Sequence, residues 1–202
     1  MTKTLRNIMT ITMAAAVLAA FTLACSSTMA YETDKANQRI TAANADIDKY
    51  NAVQKNIDSD QEKINAMPGT PDGFGQMAPL LADIDAKLKE QKVELGKATK
   101  EFEAGKALYI PGDFKTYFQM LIDVAKKQEE SIDLIAQANQ EYIATAKSMA
   151  AGTVTEEGLN ATKAKVDDLE ARAKKAADDA ASLKTKADQF YKDKSLASGG
   201  SK

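Results

Sequence analysis

The chain has 202 residues, enough for one domain of ordinary size, and it contains 36 alanines but no histidine and no tryptophan. Without histidine the chain lacks the usual general base and the commonest protein ligand of transition metals, so we expect neither a cofactor nor enzymatic activity. The formal charge is −2 and no basic stripe with interleaved aromatic residues occurs, which argues against nucleic acid as a partner.

Residues 1–24 have the three-part form of an export signal. Lys3 and Arg6 form a short positive region, and an apolar run from Ile8 to Ala24 follows, interrupted only by threonines. The run of about 17 residues is at the lower limit for crossing a bilayer, so an uncleaved membrane anchor is the weaker alternative. We therefore predict that residues 1–24 are a signal peptide.

The only cysteine, Cys25, follows Phe21-Thr22-Leu23-Ala24 and precedes Ser26. This stretch resembles the bacterial lipoprotein signal, in which a lipobox of apolar or small residues precedes a cysteine that receives a diacylglycerol and becomes the new N-terminus. The resemblance covers about the first 27 residues. It implies a covalent lipid on Cys25 as the membrane anchor, with residues 25–32 as a linker. By the sorting habit of this family in many Gram-negative bacteria, Ser26 implies the outer membrane.

A second cleavage site competes with the lipobox. Thr28-Met29-Ala30 has the small-x-small form that signal peptidase recognises, and cleavage after Ala30 would discard Cys25 and give a soluble periplasmic or secreted protein. We favour the lipoprotein, because a lone cysteine in an exported chain has no disulfide partner, whereas its place at the end of the apolar run gives it a role.

The stretch from Thr33 to Ala66 is predicted to be the first helix, because apolar residues recur at alternating spacings of three and four, interrupted by Gln54 and Gln61. The apolar residues of this seam are Ala36, Ile40, Ala43, Ile47, Tyr50, Ile57 and Ile64. Two prolines and three glycines between Pro68 and Gly75 then predict a loop. Phe74 is the aromatic residue of this otherwise polar loop, and we take it as a candidate partner contact, because loops carry binding more often than helix faces do.

The second and third helices are predicted on either side of a turn near Pro111. Pro79 is a favoured first-turn residue for the second helix, which should run to about Lys106, and Asp113 is a natural N-cap for the third helix, which Gly152 should end. The seam of the second helix is Leu81, Ile84, Leu88, Gln91, Leu95, Ala98 and Phe102. The seam of the third is Phe114, Phe118, Leu121, Ala125, Gln128, Ile132, Ile135, Asn139, Tyr142, Ala146 and Met149.

The fourth helix is predicted to begin with a capping box of Thr153 and Glu156. A strict seven-residue repeat then extends over more than four heptads, which is typical of a helix packed along other helices in a left-handed supercoil. Its seam is Leu159, Thr162, Val166, Leu169, Ala173, Ala176, Ala180, Leu183, Ala187 and Phe190. We therefore predict an all-α fold, an antiparallel coiled-coil-like four-helix bundle of long helices over residues 33–193, followed by a disordered Gly/Ser tail at residues 194–202.

Several motifs have simpler interpretations than a ligand site. The stretch Asp58 to Glu62 alternates carboxylates, but Lys63 stands where a calcium loop needs glycine, so we interpret it as a solvated helix face with no metal. The polar seam residues Gln91, Gln128 and Asn139 are interpreted as residues that fix helix register. An aromatic group near the second turn predicts a hydrophobic plug there: Phe102, Tyr109, Phe114 and Phe118.

These features predict an exported, lipid-anchored bacterial envelope protein that acts as a non-enzymatic structural or protein-interaction bundle. Its expected partners are membrane lipid, through Cys25, and an envelope protein. Antiparallel packing would put residues 68–75 and 152–155 far from the membrane and the Pro111 turn close to it. The alternatives are a periplasmic ligand-binding or sensor bundle and a membrane-active amphipathic bundle.

Overall fold

Four long helices form the described part of this computed structural model, which is residues 30–194 and Leu196. They are α1 (Ala30–Ala66), α2 (Pro71–Ala107), α3 (Gly112–Ala150) and α4 (Glu156–Asp193). Each has 37 to 39 residues and is therefore about 55 Å long. Helices that follow one another in the chain pack together, and their short connections make them antiparallel neighbours. The predicted all-α antiparallel four-helix bundle is confirmed.

The predicted seams form the core of the bundle. Nearly all of their residues are buried, and the half-buried ones are Gln61, Ile135, Met149, Leu159, Thr162, Leu183 and Phe190. On α4 the small residues Ala173, Ala176 and Ala180 are buried, and α3 approaches closely enough for Ser131 Oγ to donate to the Ala173 carbonyl at 3.0 Å. The seven-residue repeat therefore located the buried face of every helix.

The predicted start of α2 at Pro79 is wrong, because this helix begins eight residues earlier, at Pro71. Thr70 is its N-cap, and the Thr70 hydroxyl accepts a hydrogen bond from the Gly73 amide at 3.2 Å. Pro71 starts the helix rather than breaking it, because a first-turn residue needs no amide donor. Gly73 is required by packing, since a Cβ there would overlap the carbonyl oxygen of Pro68.

Two other predicted N-caps are displaced. Pro111, not Asp113, is the N-cap of α3, and it makes no side-chain capping hydrogen bond. Thr155, not Thr153, caps α4 by accepting from the Gly158 amide at 3.1 Å, whereas the Thr153 hydroxyl donates to the Ser148 carbonyl at the end of α3. The predicted stop at Gly152 is confirmed, with a φ of 65° that favours glycine.

The outer boundaries of the predicted bundle are also corrected. The first helix begins at Ala30, so residues 30–32 of the predicted linker are helical. At the other terminus Leu196, which we placed in the disordered tail, is buried against the core, because an apolar side chain there finds an apolar surface to cover. The rest of the tail beyond Lys194, like the signal region and Cys25, lies outside the described residues.

The bundle has two opposite ends, which we name by their contents. The terminal end consists of the start of α1, the turn at residues 108–111 and the end of α4, and the loop end consists of the connections at residues 67–70 and 151–155. The apolar core is divided in the same way. The loop-end cluster includes Tyr50, Ile57, Phe74, Leu81, Tyr142 and Val166, and the terminal-end cluster includes Ile40, Phe102, Phe114, Tyr117, Phe118 and Ala187.

Candidate functional site

At the terminal end, a hydrogen bond joins the start of α1 to the turn at residues 108–111. Glu32 in the first turn of α1 accepts from the Tyr109 amide at 3.1 Å and from Lys35 Nζ at 3.1 Å. The hydrogen bond from Lys35, followed by that from Tyr109, holds the pKa of Glu32 below its ordinary value. Lys194 lies 3.6 Å from Asp113, so the end of α4 also approaches α3 here.

The aromatic plug predicted at this end is confirmed for three of its four members. Phe102, Phe114 and Phe118 are buried in the terminal-end cluster. Tyr109 is not part of it, because its side chain is 75% exposed while Ile110 fills the core position beside it. The terminal end therefore presents an exposed tyrosine on the surface of an otherwise apolar plug.

At the loop end, the prediction that Phe74 is exposed for partner contact is wrong. Its side chain is only 4% exposed and belongs to the loop-end cluster. Because α2 starts at Pro71, Phe74 lies on the helix at the correct spacing to share a face with Met77 and Leu81. Phe74 is therefore a core residue and not an exposed one.

The surface of the loop end is small and polar, with an acidic margin. Pro68, Gly69 and Thr70 are exposed in one connection, and Gly152 and Thr153 are exposed in the other. The first turns of α2 and α4 add exposed carboxylates: Asp72, Glu156 and Glu157. This end offers hydrogen bonds and negative charge, and its large apolar side chains in the two connections, Met67 and Val154, are half-buried.

A layer of buried polar side chains lies inside the loop-end cluster, on the side that faces the terminal-end cluster. Gln91 Nε2 donates to Gln54 Oε1 at 2.8 Å, which links α2 to α1, and Gln128 Nε2 donates to the Tyr50 hydroxyl at 2.7 Å, which links α3 to α1. Burial raises the pKa of Tyr50, and the hydrogen bond from Gln128 only partly opposes this. Buried side chains paired across helices in this way favour one alignment of α1, α2 and α3 over any other.

Asn139, the third polar seam residue, contacts backbone instead. Its amide donates to the Leu81 carbonyl at 2.8 Å, so it joins α3 to α2 within the loop-end cluster. Gln91, Gln128 and Asn139 are all buried and all bond to another helix, which is the geometry expected of residues that fix register.

One acidic residue that the sequence suggested was solvated is buried. Asp60 is 3% exposed, so the interpretation of the stretch from Asp58 to Glu62 as a solvated face is wrong at this position. Asp60 accepts hydrogen bonds from Lys63 on its own helix and from Lys87 on α2. Burial raises the pKa of Asp60, but the two lysines outweigh it and hold the pKa below its ordinary value. Asp60 comes seven residues after Val53, which is buried, and residues seven apart lie on the same face of a helix. This spacing could have predicted that Asp60 is buried.

A second carboxyl contact, which is half-buried, joins α3 to α4. The Tyr142 hydroxyl donates to Glu170 Oε1 at 2.6 Å. Burial raises the pKa of Glu170 above its ordinary value, and the hydrogen bond from Tyr142 only partly reverses this. A raised carboxyl pKa is a common property of functional acids. Here, however, the hydrogen bond between Tyr142 and Glu170 connects two helices, which is a structural role.

A surface groove of about 480 Å³ has a lining that is mostly charged. Its lining combines basic and acidic side chains, and Lys92 already pairs with Asp133 at 2.7 Å. Within residues 30–194, no cluster of three or more acidic, histidine or cysteine side chains could hold a metal ion. None of the four helices is both long and apolar enough to cross a bilayer.

No family model, curated protein or solved structure matches this chain. The two ends of the bundle and the polar layer between them are thus the features from which a function has to be argued.

Proposed function

We propose that the protein is an exported, lipid-anchored component of the bacterial envelope, held in the outer membrane by a lipid on Cys25. It acts without catalysis, as a rigid bundle that presents its loop end to an envelope protein. The observation that carries the proposal is the position of Cys25, directly after the apolar run and five residues before α1 begins.

The antiparallel order of the helices supports the second part of this proposal. An anchor at Cys25 lies next to the start of α1 and so holds the terminal end near the bilayer. The loop end is then about 55 Å away, at the far end of helices that share one core. Exposed connections on a rigid scaffold can vary without disturbing that core, which is why binding often gathers there.

Replacing Cys25 by alanine is expected to abolish lipid attachment and to move the protein from the membrane fraction to the soluble fraction. Two or more acyl chains each contribute about 0.8 kcal/mol per buried methylene, and the variant loses all of this. Metabolic labelling with a fatty-acid analogue and fractionation of cells measure both effects, with Ser26→Ala as the control that keeps the cysteine. Equal labelling of Cys25→Ala would reject the anchor, and an unlabelled mature protein that begins at Tyr31 would favour cleavage after Ala30.

Photo-crosslinking in cells is expected to capture a partner from the loop end more strongly than from the side of the bundle. Suitable probe positions are Asp72 and Glu156, which are exposed in the first turns of α2 and α4. Lys174, exposed in the middle of α4, is the control. Equal or weaker partner capture at Asp72 and Glu156 than at Lys174 would reject the loop end as the contact surface.

A further inference from the structure

Two large apolar side chains are exposed within the described residues: Tyr109, 75% exposed, and Val93, 56% exposed. Val93 lies on the side of the bundle, about 21 Å along α2 from the end of that helix at Ala107. Tyr109 lies at the terminal end, at the tip of the turn between α2 and α3. Of the two, Tyr109 is therefore the one that lies near the start of α1, where a lipid on Cys25 would anchor the chain.

We infer that the terminal end rests on the lipid surface, with the ring of Tyr109 in the headgroup region of the bilayer. The inference depends on the proposed lipidation of Cys25 and adds to it a specific contact between the folded domain and the membrane. A lipid anchor alone would leave the domain free to turn on its linker, whereas this contact gives it an orientation.

The length of chain between the anchor and the bundle supports the contact. Ala30 is five positions after Cys25 in the sequence, and even a fully extended chain over that interval spans at most about 18 Å. Tyr109 is joined to the same helix start, because its backbone amide donates to Glu32. The turn at residues 108–111 therefore cannot move away from the bilayer without taking the start of α1 with it.

The chemistry of the exposed residue fits this location. Tyrosine has an apolar ring and a polar hydroxyl, and it is enriched at membrane interfaces, where one end of the side chain is apolar and the other is hydrated. Burial of Ile110 and the hydrogen bond to Glu32 fix the backbone on which Tyr109 stands. The ring is thus presented on a fixed turn instead of a free loop.

The charges around Tyr109 indicate how the contact is stabilised. Lys106, Lys192 and Lys194 are exposed at this end, and so are the carboxylates of Asp34, Asp113 and Asp193. The two signs balance, so general attraction to anionic lipid contributes little. The contact should therefore form on zwitterionic as well as on mixed anionic bilayers, with the aromatic ring as its main source of stability.

Tryptophan fluorescence tests the inference directly, because the chain contains no tryptophan. Full-length Tyr109→Trp protein, lipidated in cells, is reconstituted into phosphatidylcholine vesicles and into phosphatidylethanolamine–phosphatidylglycerol vesicles, each with and without phospholipids brominated on the acyl chain. We expect the emission of this variant to shift to shorter wavelength and to be strongly quenched by the bromines in both. Val93→Trp, treated identically, is the matched control and should show neither effect.

Mass spectrometry of the same samples separates the possible failures. If Cys25 carries lipid but the tryptophan of Tyr109→Trp is quenched no more than that of Val93→Trp, the surface contact is wrong and the anchor stands. If Cys25 carries no lipid, both the anchor and this inference are wrong. A Tyr109→Trp signal that is shielded in native membranes but not in vesicles would indicate a protein partner, and it too would overturn the lipid contact.

Discussion

Replacing Phe118 by alanine is expected to lower the free energy of unfolding by about 3–5 kcal/mol, the usual range for removing a buried aromatic ring. Phe118 is 0% exposed, and its ring packs directly over Gly105 of α2, where a Cβ would overlap it. Chemical denaturation followed by helical circular dichroism measures the change.

Glycine substitutions in α2 provide the control for this packing. Gly105→Ala alone should destabilise the bundle by about 1–3 kcal/mol, because the new methyl group displaces a ring that has no free space. Gly96→Ala, where a Cβ would meet nothing within 4 Å, should instead stabilise it by up to about 1 kcal/mol through helix propensity. In the Phe118→Ala background the penalty at Gly105 should disappear, and strict additivity of the two changes would contradict the proposed contact.

Replacing Lys87 by methionine is expected to destabilise the bundle by about 1–3 kcal/mol, the range for leaving a buried acceptor without one of its donors. Asp60 remains buried in this variant, and only Lys63 still donates to it. Lys174→Met is the control, since the Lys174 ammonium and the Asp178 carboxylate are both exposed and their pair should contribute only about 0–1 kcal/mol. Equal losses in the two variants would show that the contact between Asp60 and Lys87 is not special.

The acid unfolding of the same variant gives an independent readout. The pKa of Asp60 is held below its unfolded value of about 3.9, so its ionised form stabilises the fold above that pH. This stability is lost as the pH falls through the folded-state pKa. Removing Lys87 raises the pKa of Asp60, so acid unfolding of Lys87→Met should begin at a higher pH than that of the parent protein.

The sequence predicted the buried faces well because a seven-residue repeat determines them along a whole helix. It predicted helix ends less well, since these depend on a few local contacts. Pro71 could be interpreted as a helix breaker or as a first-turn residue, and the fit of Gly73 against Pro68 is visible only in three dimensions. The same error made Phe74 look exposed.

The candidate sites were harder to predict than the fold. The lysine that pairs with Asp60 is 27 residues away on another helix, and the exposure of Tyr109 depends on Ile110 occupying the core in its place. Neither relation follows from local spacing. The polar seam residues were recognised, but their partners, such as the Tyr50 hydroxyl for Gln128, required the packed helices.

The division of the core into two clusters affects how the bundle can open. Two apolar clusters that follow one another along the bundle can behave as separate cooperative units, each with its own free energy of local unfolding. A disturbance at residues 67–70 or 151–155 would then loosen the loop-end half of the four helices and stop where the terminal-end cluster begins, near Ala98 of α2 and Val124 of α3. The half that carries Tyr109 would stay folded. The protein could then change its conformation around a partner at the loop end while the terminal end keeps its structure.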